Sequence, residues 1–315
     1  MPPRVSIITP SYNQAAFLEQ TIQSVLEQGY PDLEYIIVDG ASTDGSIEII
    51  SKYAPYLTWW VSEPDQGQAE AINKGLQRAS GEIIAWLNSD DYYLPGTLQA
   101  AVASMQANPA WGLVYGDVLA VDETSQPLNL LRYQSWKLED LMCFNIIGQP
   151  AVFMRREALA QSGLLDSRFH YLLDHQLWLR IAMHTQIQYV PQLWAAARFH
   201  LKAKNVAQAA AFGKDAYQIV AWMQTQSELA ERFKIHQRRI HAGSHRINAR
   251  YLSEGRKPRQ AIKAYFQCLL ADPATALKDW RRLLLTLFAL MGIHWLRPFY
   301  LRLRKNWMPS TVDKK

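Results

Sequence analysis

Four short stretches of this sequence carry acids and hydroxyls at the same place, just after an apolar run. Thr9-Pro10-Ser11-Tyr12-Asn13 follows the first run, and Asp39-Gly40-Ala41-Ser42-Thr43-Asp44-Gly45 follows the second. Glu63-Pro64-Asp65-Gln66-Gly67 follows the third, and Asn88-Ser89-Asp90-Asp91 the fourth. One such loop is ordinary turn or helix-cap chemistry, the role expected of Asp44. Four of them on one edge of a sheet make a site. Carboxylates repel a diphosphate unless a divalent cation lies between them, so Asp90-Asp91 points to an oxygen-seeking ion, Mg2+ or Mn2+. A bare Asp-Asp pair also opens helices, and the helical pattern from Pro95 leaves that second reading available.

The elements that must position these loops alternate in type. Val5–Thr9, Glu34–Asp39, Leu57–Val61 and Glu82–Leu87 read as strands, three of them nearly continuous apolar runs suited to parallel strands covered on both faces. Gln14–Gln28, Ser46–Tyr53 and Gln68–Ala79 have helical spacing between them. That order implies right-handed βαβ crossovers and a mostly parallel sheet, whose ligands bind beyond the carboxyl ends of its strands. Farther on, Pro95–Asn108 and Leu173–His184 read as helices. Gly112–Val121 and Pro150–Met154 read as strands, with Gln188–Val190 and Ala196–Phe199 as closing strands. Beyond about Asn205 strand signals stop, and Ala, Gln, Lys and Arg dominate.

Composition narrows the classes. Of 315 residues, 49% are hydrophobic and 19% charged, which excludes wholesale disorder. Two cysteines, Cys143 and Cys268, exclude a disulfide framework and a four-cysteine zinc site, and suit a reducing compartment. The apolar run at Val5–Thr9 is too short for a secretory leader. Neither G-x-G-x-x-G after the first strand nor G-x-x-x-x-G-K-[ST] is present, so dinucleotide-binding and P-loop readings fall away.

Together these motifs are similar to family 2 glycosyltransferases. The matching segments are Val-Ser-Ile-Ile-Thr-Pro-Ser-Tyr-Asn at 5–13, Ile-Val-Asp-Gly-Ala-Ser-Thr-Asp-Gly at 37–45, Leu-Asn-Ser-Asp-Asp at 87–91, Gly-Gln-Pro-Ala-Val-Phe at 148–153, Leu-Asp-His-Gln-Leu-Trp-Leu-Arg at 173–180 and Arg-Phe-His at 198–200. The resemblance implies a GT-A fold (an α/β architecture with a mostly parallel central sheet) over residues 1–204, followed by a basic helical extension over 205–315. It implies metal-dependent, inverting transfer of a sugar from a nucleotide-diphosphate sugar to a glycan or lipid-linked acceptor, in bacterial surface-polysaccharide or lipid-linked glycan assembly. No nucleic-acid partner is expected.

Residue by residue, the resemblance sets Thr9, Pro10 and Tyr12 in the nucleotide-facing first loop. Asp39 would hold the base or ribose with Ser42 nearby, and Asp65 would contact the nucleoside. Asp90 and Asp91 occupy the D-x-D-type element, Asp91 as the direct metal ligand, and His200 would face the metal or diphosphate. Gln149 falls in the acceptor or donor-sugar pocket, and Lys202, with Lys204, would cover the diphosphate. Asp174 is the expected catalytic base: the attacking hydroxyl must lose a proton, and an ordinary aspartate is ionised at neutral pH. Leu173 and Gln176 stand where relatives often carry acids. A sugar-nucleotide pyrophosphorylase would need a glycine-rich basic first loop, which Ser11-Tyr12-Asn13-Gln14 is not. A catalytically inactive nucleotide-sugar-binding or scaffold protein working through its tail is the remaining alternative.

Charge divides the chain. Residues 1–200 hold 11 Lys and Arg against 21 Asp and Glu, a net of −10, and residues 201–315 hold 22 against 7, a net of +15. Tyr251, Gly255, Ala261, Tyr265 and Pro273 suit an amphipathic helical hairpin, with the spacing of one tetratricopeptide-like helix. The apolar run Leu283–Leu296, flanked by Trp and Arg, would make a helix only about 21 Å long, short of a bilayer core of about 30 Å. The expectation is a cytoplasmic protein lying peripherally on the inner face of an anionic membrane.

Overall fold

The computed structural model describes residues 2–200 and 208–293. Its strands, in chain order, are β1 (Val5–Ser11), β2 (Leu33–Asp39), β3 (Trp59–Ser62), β4 (Ile83–Trp86), β5 (Tyr92–Tyr93), β6 (Trp111–Val121), β7 (Pro127–Leu131), β8 (Val152–Arg155) and β9 (Gln186–Arg198). The first helices are α1 (Ala15–Leu26), α2 (Ser46–Tyr53), α3 (Gln68–Arg78), α4 (Thr97–Ala107), α5 (Leu138–Met142), α6 (Arg156–Ser162) and α7 (Leu173–His184). Then come α8 (Phe212–Thr225), α9 (Ala230–Glu254), α10 (Pro258–Ala271), α11 (Pro273–Leu277) and α12 (Trp280–Leu290).

Two compact units divide these elements. The first comprises residues 1–121, 130–137 and 147–198. Its sheet runs β3-β2-β1-β4-β8-β6-β9-β5, with β7 paired to β6 off that path. The four strands from β3 to β4 are mutually parallel, as their continuous apolar character demands; all seven residues of β1 are buried. Beyond them the sheet is mixed: β8 is antiparallel to both β4 and β6, while β6 and β9 are parallel. Val5, Ile7, Ile37 and Ala85 from the strands pack with Leu18, Ile22 and Val25 of α1 and Ile50 of α2. Each of the valine, leucine and isoleucine side chains contributes about 1.5–3 kcal/mol by leaving water.

The helices at Ser46–Tyr53 and Leu173–His184 fall where their periodicity puts them. The two expected closing strands are one continuous strand, β9. Pro191 does not break it because the register against β6 is irregular there: Tyr189 pairs with Tyr115, Leu193 with Asp117 and Ala195 with Val118. A proline is tolerated where the ladder is already interrupted.

The second unit takes residues 122–129, 138–146 and 199–315. Helices α9 and α10 bury Ala249, Leu252, Ala261, Ala264 and Tyr265 between them. Gly243 lets the 138–146 segment approach α9: a Cβ there would lie 2.3 Å from the Cys143 carbonyl oxygen. Arg246, nearly buried, donates to the Phe144 carbonyl at 3.1 Å. Among the described residues no helix is long and apolar enough to cross a membrane. Lys202, Lys204 and the last three residues of the 283–296 run lie outside the described residues.

Candidate active site

Register brings the loops together. Ser11, Asp39 and Ser62 are direct partners across β1, β2 and β3, so three strands end on one row. Asp39 is fully buried there. Its Oδ1 accepts from Ser42 Oγ at 2.5 Å, and its Oδ2 from the Ser42 amide at 2.8 Å and Ser62 Oγ at 2.7 Å. Ser42 Oγ in turn accepts from the Asn13 amide at 2.8 Å, and Asn13 Oδ1 from the Thr43 amide at 2.9 Å. Asp39 and Ser42 thus lock the first loop to the second. Asn13 and Ala41 hold positive φ, 52° and 60°, in these two loops; such strain persists where surroundings over-determine the backbone. Beside them Gly40 lies against Asp65 and Tyr12: a Cβ on Gly40 would be 2.7 Å from Asp65 Oδ2 and 3.3 Å from the Tyr12 ring. Tyr12 is 62% exposed, a ring open to a ligand.

The acidic turn after β4 is braced from three sides. Thr21 of α1 donates to the carbonyls of Ser89 at 3.0 Å and Asp91 at 2.7 Å. From the end of β9, the Arg198 amide donates to Asp91 Oδ1 at 2.9 Å, and Arg198 Nε to the Asp90 carbonyl at 3.0 Å. Asn88 Nδ2 reaches Asp91 Oδ2 at 3.4 Å. Asp91 is 5% exposed and Asp90 more open. Burial first, and then the neighbouring Asp90 carboxylate, push the Asp91 carboxyl well above the usual carboxylate range. The donor set is two adjacent carboxylates on a braced turn, all oxygen, which fits Mg2+ or Mn2+. Among the described residues no three His, Cys, Asp or Glu side chains gather into a cage. An ion here would therefore complete its shell from ligand oxygens, as Mg2+ does on phosphates.

Asn88 ties this turn to the segment at Gln149. Its Oδ1 accepts from Gln68 Nε2 at 2.8 Å, and its Nδ2 donates to Gln149 Oε1 at 3.2 Å. Gln149 Nε2 donates to the Trp86 carbonyl at 2.8 Å. The Trp86 ring stacks on Trp178 with centroids 5.1 Å apart. Asp174 stands one turn before Trp178 in the first turn of α7, half-buried, with Oδ1 accepting from the His175 amide at 2.7 Å. Gln176 is buried and turned to Arg180, whose Nε donates to it at 3.1 Å. Arg180 also binds the Leu164 carbonyl at 2.7 Å, so a neutral amide completes its shell.

The first-loop residues behave differently from one another. β1 runs two residues past the expected strand end at Thr9, so Pro10 and Ser11 are inside it too, and all three are buried. The Thr9 hydroxyl pairs with Tyr35 OH at 3.0 Å in the core. Ser11 Oγ is buried with no hydrogen-bond partner among the described residues, a polar atom at the carboxyl end of β1. His200 is buried in the second unit. Ser11, Ser62, Gln68, Asn88 and Arg198 join the site through register and long-range contacts. Ser11 and Asn88 lie in the polar loops and Arg198 in the Arg-Phe-His motif, whereas nothing local marks Ser62 or Gln68.

Known proteins resemble this chain in sequence and in fold. The model of "Glycosyl transferase family 2" matches residues 6–160. The putative teichuronic acid biosynthesis glycosyltransferase TuaG of Bacillus subtilis (strain 168) is 35% identical over 188 residues, 57% of this chain and 72% of that protein. A PGL/p-HBAD biosynthesis glycosyltransferase of Mycobacterium bovis (strain BCG / Pasteur 1173P2) is 31% identical over 182 residues, 56% of this chain and 69% of that one. Among solved structures, the mannosyltransferase PcManGT from Pyrobaculum calidifontis, in complex with GDP-Man and Mn2+, superposes with a TM-score of 0.63 at 24% identity, over 100% of this chain and 89% of that one. S. aureus TarS 1-349 in complex with UDP-GlcNAc gives 0.57 at 18% identity, over 87% and 82%. Those two likenesses establish the GT-A fold, and the sequence matches establish the rest: this chain is a glycosyltransferase, and it belongs to glycosyl transferase family 2.

Proposed function

We propose that the enzyme takes its sugar from a nucleotide-diphosphate donor with the help of a divalent cation. It passes that sugar, with inversion, to a hydroxyl of a glycan or lipid-linked acceptor. The observation that carries this reading is the Asn88 amide, which joins the acidic turn to Gln149 and Gln68 at one strand edge. Tyr12, Asp39, Ser42 and Asp65 would take the nucleoside, with Thr9 and Pro10 shaping the floor from inside β1. Asp90 and Asp91 would hold Mg2+ or Mn2+, which when bound neutralises charge on the departing diphosphate. Gln149 would fix the sugar.

Asp174 would accept the proton of the attacking hydroxyl, a contribution of about 10²–10⁴-fold. Its position one turn from the Trp86–Trp178 stack supports the assignment. Support for the donor class comes from the neighbours named for GDP-Man with Mn2+ and for UDP-GlcNAc. Support for surface-polysaccharide or lipid-linked glycan assembly comes from the teichuronic acid and PGL/p-HBAD relatives. Proton NMR of the sugar released by slow donor hydrolysis tests the stereochemistry, with the opposite anomer to the donor's expected first. Asp174→Asn should keep donor affinity and lose turnover by about 10²-fold or more. Retained anomeric configuration, or an Asn variant with full turnover, would overturn the mechanism.

A further inference from the structure

We propose that the outward face of α10 and α12 docks peripherally on an anionic lipid surface. On α10, Arg259, Lys263, Phe266 and Leu270 recur four, three and four residues apart, which puts them on one stripe. All four are exposed, Phe266 at 58% and Leu270 at 66%. Trp280, Leu284, Leu287 and Met291 repeat the spacing along α12 and its end, at 50%, 43%, 37% and 71% exposure. Tyr265, Cys268 and Thr286 are buried on the opposite sides of the same helices. Exposed large apolar side chains repeated along two helices of one folded unit are the raw material of an interaction face.

The cations say which partner it fits. Some are neutralised within the unit: Arg250 donates to Asp279 at 2.7 and 3.0 Å, and Arg282 pairs with Glu254. Among the described residues, Arg259, Lys263, Lys278 and Arg281 enter no ion pair. The Arg281 guanidinium lies over the Trp280 ring, 5.3 Å from its centroid. Such cations reach lipid phosphates while indole and leucine side chains enter the boundary between headgroups and acyl chains, a depth of about 5–10 Å. A soluble polyanion would satisfy the cations and leave the leucines in water. A second copy of the chain would set like charges against each other in a region whose formal charge is +15. An anionic bilayer satisfies both halves of the face, and this inference stands independently of the donor chemistry.

The test is sedimentation of the full chain with vesicles of equimolar phosphatidylglycerol and phosphatidylcholine, against pure phosphatidylcholine. Binding to the anionic vesicles should be strong at about 50 mM salt and at least tenfold weaker at about 500 mM, where the Debye length shrinks. Pure phosphatidylcholine should bind at least tenfold more weakly at either salt. Leu284→Ser with Leu287→Ser should weaken anionic binding at least tenfold. Lys263→Gln and Arg281→Gln should each weaken it about fivefold. Circular dichroism and calorimetric donor titration should remain unchanged in all variants. Equal binding to neutral vesicles, or unchanged binding by the variants, would overturn the proposal. So would a dimer in sedimentation equilibrium that the leucine substitutions dissociate, or a leucine variant that loses its helical fold. Capture of soluble polyphosphate lost only in the cation variants, with no vesicle binding, would also overturn it.

Discussion

The backbone amide of Arg198 donates to Asp91 Oδ1 at 2.9 Å, joining two residues 107 positions apart. The last strand of the sheet therefore ends on the acidic turn, and the pairing of Tyr92 and Tyr93 with Ala196 and Ala195 fixes that meeting. The backbone donor and, at longer range, the Arg198 charge both favour the ionised carboxylate, against burial and Asp90, which oppose it. The Arg198 guanidinium goes elsewhere, to the Asp90 carbonyl, to Gln20 Oε1 at 2.6 Å and over the Phe17 ring at 4.6 Å.

Arg198→Met therefore keeps the amide bond to Asp91 and removes the brace on Asp90. Losing buried charge-assisted hydrogen bonds should cost about 2–3 kcal/mol of stability. Donor affinity in Mn2+ should fall about tenfold as the turn loosens, a difference of about 1.4 kcal/mol. Arg198→Lys should rescue only part of this, since an ammonium lacks the planar fork and stacks less well on Phe17. Thermal unfolding and calorimetric titration read the two effects separately.

Gly40→Ala tests the convergence of the first three loops. The added methyl would meet Asp65 Oδ2 and the Tyr12 ring, both side chains able to swing away. Stability should change by less than about 1 kcal/mol, while nucleotide affinity drops because Asp65 and Tyr12 have moved. Unchanged affinity would mean those two side chains do not touch the nucleotide.

Asp44 joins two helix starts. Its Oδ2 accepts from the Ala15 amide at 2.9 Å, and its Oδ1 from the Ser46 amide at 3.1 Å and Ser46 Oγ at 2.6 Å. Burial is the largest single influence and opposes ionisation, yet these hydrogen bonds together hold the carboxyl below the usual range. A lowered folded-state pKa gives stability that is full above the unfolded value of about 3.9 and fades as pH falls through the folded one. Asp44→Ala should cost about 1 kcal/mol near pH 7. The gap from wild type should narrow below about pH 4 in urea unfolding.

Much of the first unit is legible in sequence because its parallel strands are continuous apolar runs and its crossovers have clean periodicity. The loop chemistry is legible for the same reason, since strand ends mark where acids such as Asp39 and Asp91 must fall. What local pattern does not carry is commitment. Thr9 has the type of a ligand-facing hydroxyl, but its place in β1 beside β2 turns it toward Tyr35 in the core. Arg198 opens the Arg-Phe-His motif, but only the β5–β9 pairing sets it beside Asp91. The short β5 and α6 escaped because two and seven residues hold too little periodicity to register. The grouping of 138–146 with the helical unit depends on Gly243 and Arg246, about 100 residues away, and no local pattern encodes that.

The central claim is a nucleotide-diphosphate sugar held through a divalent ion at Asp90-Asp91, and calorimetric titration tests it most directly. Wild type and the shape-conserving Asp91→Asn would each be titrated with a panel of UDP- and GDP-sugars, in Mn2+ and in chelator. At least one donor should bind wild type in Mn2+. That affinity should fall tenfold or more, about 1.4 kcal/mol, both in chelator and in the folded Asp91→Asn variant. Equal affinity in all conditions, or no binding to any sugar nucleotide, would contradict it.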